Sequence, residues 1–376
     1  MKIMEQNMQF IDLKTQFEQI KETVNNNIKT VLEHGKYISG PEIVELERQL
    51  AAYCDVKYCI GCSSGTDALL MPLLAWGVKP GDAILTSPFT FVATAEVIRL
   101  LGATPVFVDI NEKTFNIDPK KLDEKIEQVK KEGTLVPKVI IPVDLFGQCA
   151  DYDDIERVAQ KHYLLLLEDA AQAFGAEYKN KKSCSFGTAA ATSFFPAKPL
   201  GCYGDGGAIF TNDDDLLEKL LSIRVHGQGA DKYTNVRIGI NGRIDTIQAA
   251  VLLAKMTIFD KEIEMRQKVA KKYSEMLKNK VIVPFIEEHN KSVWAQFSIL
   301  AESESHRVEL MKKLNNVGVP TAIYYPIPLH LQQAFSDLGG QVGEFPISEN
   351  IAKRIFSIPF HPYLKDEDIE KICNAF

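Results

Sequence analysis

The chain has 376 residues, of which 45% are hydrophobic and 25% charged, with a net charge of −7 at pH 7. Globular composition at this length leaves room for one large domain and a smaller one. The acidic balance argues against a nucleic-acid binder, which would present a basic face.

Leu13, Phe17, Ile20, Val24, Ile28, Val31 and Leu32 recur at mostly three- and four-residue spacing and predict a helix over 13–34, ended by His34-Gly35. A second helix starts after Gly40-Pro41, where proline suits the first turn, and turns Ile43, Leu46 and Leu50 inward. Strands and helices then alternate. The strands are expected at 57–61, 83–86, 105–109, 138–143 and 163–168, and the helices at 66–76, 93–101, 122–131 and 153–161. Such alternation implies an α/β fold with a largely parallel sheet covered by helices, and ligands then sit beyond the carboxyl ends of the strands. After about residue 250 the pattern becomes a long charged helix, 253–277, followed by a smaller α/β region containing 292–300 and 307–316. The expected division is an N-terminal segment and helix (1–34) associated with a small domain, a large domain (35–250) and a small C-terminal domain (251–376).

No apolar run approaches bilayer-spanning length; the longest, 163–167, is strand-sized. Residues 1–14 lack a continuous signal-peptide core. Seven cysteines lie scattered between Cys54 and Cys373, and Cys59-x-x-Cys62 has no second cluster with which to bind zinc. Reduced thiols, no metal site and a cytoplasmic location are expected.

Four short segments carry chemistry. Cys62-Ser63-Ser64-Gly65-Thr66-Asp67 follows a strand and opens a helix, where small residues and free N–H groups suit an anion; Ser64 or Thr66 is equally an ordinary N-cap. The strand 164–167 runs into Glu168-Asp169-Ala170-Ala171-Gln172, placing an acid in the crevice; a helix N-cap would explain Asp169 but not the Gln three positions on. Lys198 sits among aromatic, proline and small residues in Ser193-Phe194-Phe195-Pro196-Ala197-Lys198-Pro199-Leu200-Gly201, where desolvation would favour a nucleophilic amine; a surface loop lysine is the alternative. The glycines 204–207 lack the strand–turn–helix context of a dinucleotide fingerprint. Finally, Pro88-Phe89-Thr90-Phe91 places an aromatic at a strand end, suited to stacking on a planar cofactor or to core packing.

Together and in this order, the segments resemble the DegT/DnrJ/EryC1/StrS family, the sugar aminotransferases of fold type I. The likeness runs from Phe10-Ile11-Asp12-Leu13 to Pro359-Phe360-His361-Pro362 and keeps the Asp-x-x-Gln and Ser-x4-Lys spacings. It implies a large domain binding pyridoxal 5′-phosphate (PLP, or its amine form PMP). Lys198 would carry the cofactor as a Schiff base and shuttle protons, while Asp169 pairs with the ring nitrogen. Gln172 would contact the ring hydroxyl, Phe91 would stack on the ring, and Gly65, Thr66 and Ser193 would hold the phosphate. The family shares its sites across a homodimer. In Gly239-Ile240-Asn241-Gly242-Arg243-Ile244-Asp245, the resemblance implies that Asn241 reaches the partner's phosphate and Arg243 the sugar nucleotide; a salt bridge from Arg243 to Asp245 is the bland reading.

The reaction implied is transfer of an amino group, from glutamate in most relatives, to a nucleotide-linked keto sugar. The stretches 195–208, 224–229 and 325–331 resemble members that aminate C3 of UDP-linked N-acetyl sugars for lipopolysaccharide and related surface glycans. Tyr324 and Tyr325 are expected at the substrate, with Tyr324-Tyr325-Pro326 where many relatives have His-Tyr-Pro. Loss of that cation favours neutral UDP-3-keto-N-acetylglucosamine over its uronic acid. Competing readings are a 4-keto sugar aminotransferase acting on a dTDP- or UDP-linked sugar, and a non-catalytic sensor or scaffold with the same fold.

Overall fold

The computed structural model describes residues 8–376, so the first half of the stretch read for a signal peptide, and the start of the 1–34 segment, lie outside the described residues. A seven-stranded mixed sheet forms the body. Its strands are β1 (Tyr58–Cys62), β2 (Asp82–Thr86), β3 (Thr104–Phe107), β4 (Val136–Ile141), β5 (Leu165–Asp169), β8 (Ala189–Ser193) and β9 (Gly207–Thr211), in the order β1-β9-β8-β5-β4-β2-β3. The run β8-β5-β4-β2-β3 is parallel; β9 pairs antiparallel with β8 and with the edge strand β1, which therefore runs in the direction of the parallel set. A short three-stranded sheet is made by β6 (Glu177–Tyr178), β7 (Lys181–Lys182) and β10 (Asn290–Lys291), and an antiparallel pair by β11 (Phe297–Leu300) and β12 (Ile355–Ile358).

Both faces of the large sheet are covered, which is why its strands read as apolar runs rather than alternating ones. Ile140 and Leu166 point into one core layer, and Val139, Ile141 and Leu167 into the other. Helices α3 (Gly65–Ala75), α4 (Ala93–Leu100) and α7 (Asp214–Ile223) supply residues to the second layer; α2 (Pro41–Cys54), α5 (Pro119–Glu132) and α6 (Tyr152–His162) supply the first. Among the described residues, no helix is long and apolar enough to cross a membrane.

The expected helix 253–277 is two helices, α8 (Thr246–Met256) and α9 (Phe259–Leu277). At the break the N–H groups of Thr257 and Ile258 turn back to the carbonyls of Ala254 and Lys255, and the Thr257 hydroxyl also donates to Ala254 O at 2.6 Å. Local side-chain bonding of this kind competes with the helical ladder. Helix α1 (Leu13–His34) lies on α8, where Ile20 and Val24 pack with Val251 and Ala254, and Gln16 donates to Glu262 of α9 at 3.0 Å. Helices α10 (Glu304–Asn316) and α12 (Asp366–Asn374) pack with α9 around β11 and β12, and α11 (Pro346–Arg354) leads into β12.

One seam joins the large sheet to the C-terminal layer. The N–H groups of Val293 and Ala295 donate to Gly147 O and Phe146 O at 2.9 and 3.0 Å. Gly147 has φ +97°, and a Cβ there would stand 2.8 Å from Trp294 N. Gly147→Ala therefore meets both backbone strain and a backbone clash, and is expected to cost about 1–3 kcal/mol. A lowered urea midpoint with an unchanged m-value checks this; an unmoved midpoint would mean that the seam yields freely.

Candidate active site

The parallel strands end together, and their carboxyl ends open into a cavity of about 460 Å³. Its lining brings together Gly65, Thr66, Phe91, Asp169, Gln172, Ser193, Lys198, Tyr324 and Tyr325, nine of the residues expected from sequence. Asn241 and Arg243 do not line it. Asn241 is exposed, and Arg243 makes no ion pair with Asp245; its Nε is buried without a partner.

Each side chain is placed by a local cause. In β5 the alternation of the strand sends Asp169 into the cavity and Glu168 into the core. Asp169 is buried, with Oδ1 accepting from Ala171 N–H at 3.2 Å and Oδ2 from the Thr94 hydroxyl at 2.8 Å. Burial pushes its carboxyl above the usual range, while these two bonds and the nearby Lys198 oppose the shift. Thr94, on α4, was not singled out in the sequence, and no local pattern marks it; it reaches Asp169 only through the fold.

Gln172 lies on the turn after β5. Its Oε1 accepts from Phe146 N–H at 2.8 Å and its Nε2 donates to the Tyr325 hydroxyl at 3.0 Å. Phe91, 54% exposed, stands 6.2 Å from the Tyr325 ring and offers a face to the cavity.

Strand β8 is a run of small residues, Ala189 to Ser193, that ends beside the first turn of α3. The approach is close: a Cβ on Gly65 would stand 2.5 Å from Ser193 Cβ, and one on Gly207 2.4 Å from Ser64 O. Ser64 caps α3 by accepting from Asp67 N–H at 3.1 Å, so the N-cap reading holds for this residue. The first-turn N–H groups of Gly65 and Thr66 have no intrahelical acceptor. Ser193 Oγ accepts from Phe195 N–H at 3.2 Å, which leaves its proton to donate.

Beyond Ser193 the chain folds into a tight loop, with Lys198 N–H donating to Phe195 O and Cys202 N–H to Phe194 O, both at 2.8 Å. Gly201 is required there, since a Cβ would lie 2.5 Å from Pro196 O. The loop aims Lys198 into the cavity, where its exposed part is part of the lining. Desolvation lowers its amine to about 8, against the attraction of Asp169. It is not the surface lysine of the alternative reading. Phe10, Ile11 and Gln296 also line the cavity and were missed as site residues. Phe10 is held by Phe360 N–H at 3.1 Å and meets Tyr324 edge-on.

The DegT/DnrJ/EryC1/StrS aminotransferase family model matches residues 18–376. The chain is 49% identical over 369 residues to the UDP-2-acetamido-2-deoxy-3-oxo-D-glucuronate aminotransferase of Pseudomonas aeruginosa, covering 98% of this chain and 99% of that one. A DegT DnrJ EryC1 StrS aminotransferase from Brucella abortus superimposes with TM-score 0.95 at 48% identity, over 98% of each chain. A Bacillus subtilis structure, ntda with bound cofactor PMP, matches with TM-score 0.87 at 30% identity, over 97% of this chain and 82% of that one. The chain belongs to the DegT/DnrJ/EryC1/StrS aminotransferase family, and its fold is the fold type I expected from sequence.

The lowered amine of Lys198 gives a direct test. In the cofactor-free protein, competitive acetylation of Lys198, followed by peptide mass spectrometry, should rise with pH and level off above about 8. A rise continuing toward the ordinary lysine value of 10.5 would show that the cavity does not desolvate it.

Proposed function

We propose that this chain transfers an amino group, with glutamate as donor, to C3 of a UDP-linked 2-acetamido-3-oxo sugar, using pyridoxal 5′-phosphate. The observation that carries the reading is the convergence of Lys198, Asp169, Gln172 and Ser193 on one cavity in a chain 49% identical to an aminotransferase of such a sugar.

The residues fit the cofactor. An acid, an amine of lowered basicity and a cradle of small residues facing free N–H groups and a serine hydroxyl match its ring nitrogen, aldehyde and phosphate in turn. Lys198 would hold it, Asp169 would face its ring nitrogen and Gln172 its ring hydroxyl. Phe91 would cover the ring, with Gly65, Thr66 and Ser193 at the phosphate. When bound, the cofactor supplies an electron-withdrawing ring that takes up the charge left when a proton leaves the substrate carbon.

The protein's own groups do the rest. Lys198 Nζ, about half neutral at a pH near 8, takes the proton from the donor's α-carbon and later returns one to the sugar carbon. Asp169, whose two oxygens accept hydrogen bonds that favour its charged form against burial, would face the ring nitrogen and favour a proton there. The walls formed by Phe10, Phe91 and Tyr325 keep bulk water from the reacting carbon.

Asn241 and Arg243 belong in this proposal to the neighbouring site of a homodimer. Supporting this, both lie outside the cavity of their own chain, and the segment just before them in sequence exposes Tyr233, Val236 and Ile238. The proposed division of the chain remains 1–34, 35–250 and 251–376, with α1 at the junction through its contacts to α8 and α9. A cytoplasmic location and a product destined for lipopolysaccharide or another surface glycan complete the proposal.

The purified protein is expected to show visible absorption that glutamate bleaches, and Lys198→Ala to lose turnover by roughly 10²–10⁴-fold or more. A colourless wild type after addition of pyridoxal phosphate would refute the reading.

The state of C6 is a separate matter. The relative at 49% identity acts on a uronate, whereas here Lys198 is the one cationic side chain lining the cavity among the described residues. With Arg243 of the partner subunit assigned above to the sugar nucleotide, the preference for the neutral sugar rests on Tyr324 standing where many relatives have a histidine. Tyr324→His should raise the uronate-to-neutral ratio of kcat/KM by roughly tenfold, the worth of one charge-assisted hydrogen bond. An unchanged ratio would remove Tyr324 from the discrimination.

A further inference from the structure

Thr94 stands in the first turn of α4, and Thr90 lies four residues earlier, ahead of the helix. Both border the main cavity, yet they are only 1% and 2% exposed, so they can act there only through a neighbour. Thr94 N–H donates to Phe91 O at 3.4 Å, and the turn that carries Phe91 to the cavity thereby also fixes Thr94 beside the end of β5.

The Thr94 hydroxyl lies 2.8 Å from Asp169 Oδ2, and the Thr90 hydroxyl 3.2 Å from that of Thr94. Proton accounting sets the direction of both bonds. An ionised carboxylate can only accept, and a hydroxyl has one proton to give. Thr94 therefore donates to Asp169 and accepts from Thr90. Two hydroxyls in series polarise each other, so the second strengthens the first. Threonine is also stiff at χ1, which holds the donor in place.

Without this donor Oδ2 would be a buried carboxylate oxygen with no partner, and only the 3.2 Å bond from Ala171 would oppose burial. Around Asp169, Lys198 faces it in the cavity, Tyr325 lies across, and Asp144 and Glu168 lie behind. Lys198 is the one cation among them, and its proposed role takes up and releases that proton, so it cannot hold Asp169 charged throughout. A hydroxyl does not titrate, and its bond persists.

We infer that Thr94, backed by Thr90, is a positioning residue that keeps Asp169 ionised and fixed in orientation, so that the shared proton stays on the cofactor's ring nitrogen and not on the carboxylate. The inference rests on the cofactor reading above and is independent of which sugar is aminated. The competing role is structural, a hydroxyl that only satisfies a buried oxygen.

The test loads the enzyme with pyridoxal phosphate isotope-labelled at its ring nitrogen, reads protonation there by nitrogen NMR, and follows each half-reaction. Thr94→Val removes the hydroxyl at nearly the same shape. Its signal should move toward the unprotonated position, with kcat falling roughly 10- to 100-fold in both half-reactions and each KM within about twofold of wild type. Thr94→Ser keeps a donor and should recover most of both effects. Thr90→Val should move the signal the same way by less, and it carries the test where Thr94→Val does not fold. A ring nitrogen that stays protonated in every valine variant that folds, or a Thr94→Ser enzyme no better than Thr94→Val, would assign the pair a structural role and overturn the inference. A wild type that binds no pyridoxal phosphate would overturn the cofactor reading instead.

Discussion

The site depends on two groups set close together, one buried and the other largely withdrawn from water. Asp169 is buried at the end of a central strand, and its two oxygens are met by Thr94 and the Ala171 N–H. Lys198 receives no such compensation among the described hydrogen bonds of its side chain. Desolvation therefore outweighs the attraction of Asp169, and the amine falls to about 8. A lysine in water at neutral pH is almost wholly protonated; this one is poised to exchange its proton, which its proposed role requires. Adjacent parallel strands make the juxtaposition possible. Asp169 pairs in register with Ala191, two residues before Ser193, and the loop opened by Ser193 returns Lys198 over the same strand ends.

The field at Asp169 is set partly from behind. Strand alternation turns Glu168 away from the cavity into the core, where it accepts from Cys184 and Phe186 N–H at 2.7 and 3.0 Å. There it meets Asp144, which accepts from Ala150 N–H and the Tyr152 hydroxyl and whose own N–H donates to Asp169 O. Burial raises both carboxyls above their usual range, which favours a proton on the pair. Two like charges behind Asp169 would raise its carboxyl further. A proton on the pair would leave it with less charge than its composition suggests, behind the one carboxylate that faces the cavity.

Much of this could be read in the sequence because it is local. A strand that ends in Asp169, with Gln172 three residues on, fixes where both side chains go. A run of small residues from Ala189 to Ser193 announces a buried strand with something close against it. What could not be read was non-local or lacked punctuation. Thr94 reaches Asp169 from a helix 75 residues earlier, and Phe10 and Gln296 come from opposite ends of the chain. The break at Thr257-Ile258 has neither glycine nor proline, so apolar periodicity ran through it into a single helix. Asn241 and Arg243 carry a family signature, but a signature specifies residue types and not which chain's cavity they enter.

Gln172 shows how the two layers of the molecule are joined at the chemistry. An amide can be turned end for end with little change in shape, so its orientation follows from its partners. The Phe146 N–H can only donate, which assigns it the oxygen, and the Tyr325 hydroxyl is left to accept from the nitrogen. Phe146 belongs to the turn fastened by Val293 and Ala295, and Tyr325 belongs to the C-terminal layer. The same side chain that faces the proposed cofactor ring therefore also spans the seam. Movement of one layer against the other would break one of its two bonds and turn the amide. Geometry at the ring and closure of the seam are thus one constraint, and a substitution that loosens the seam should be felt at the ring even though it touches nothing there.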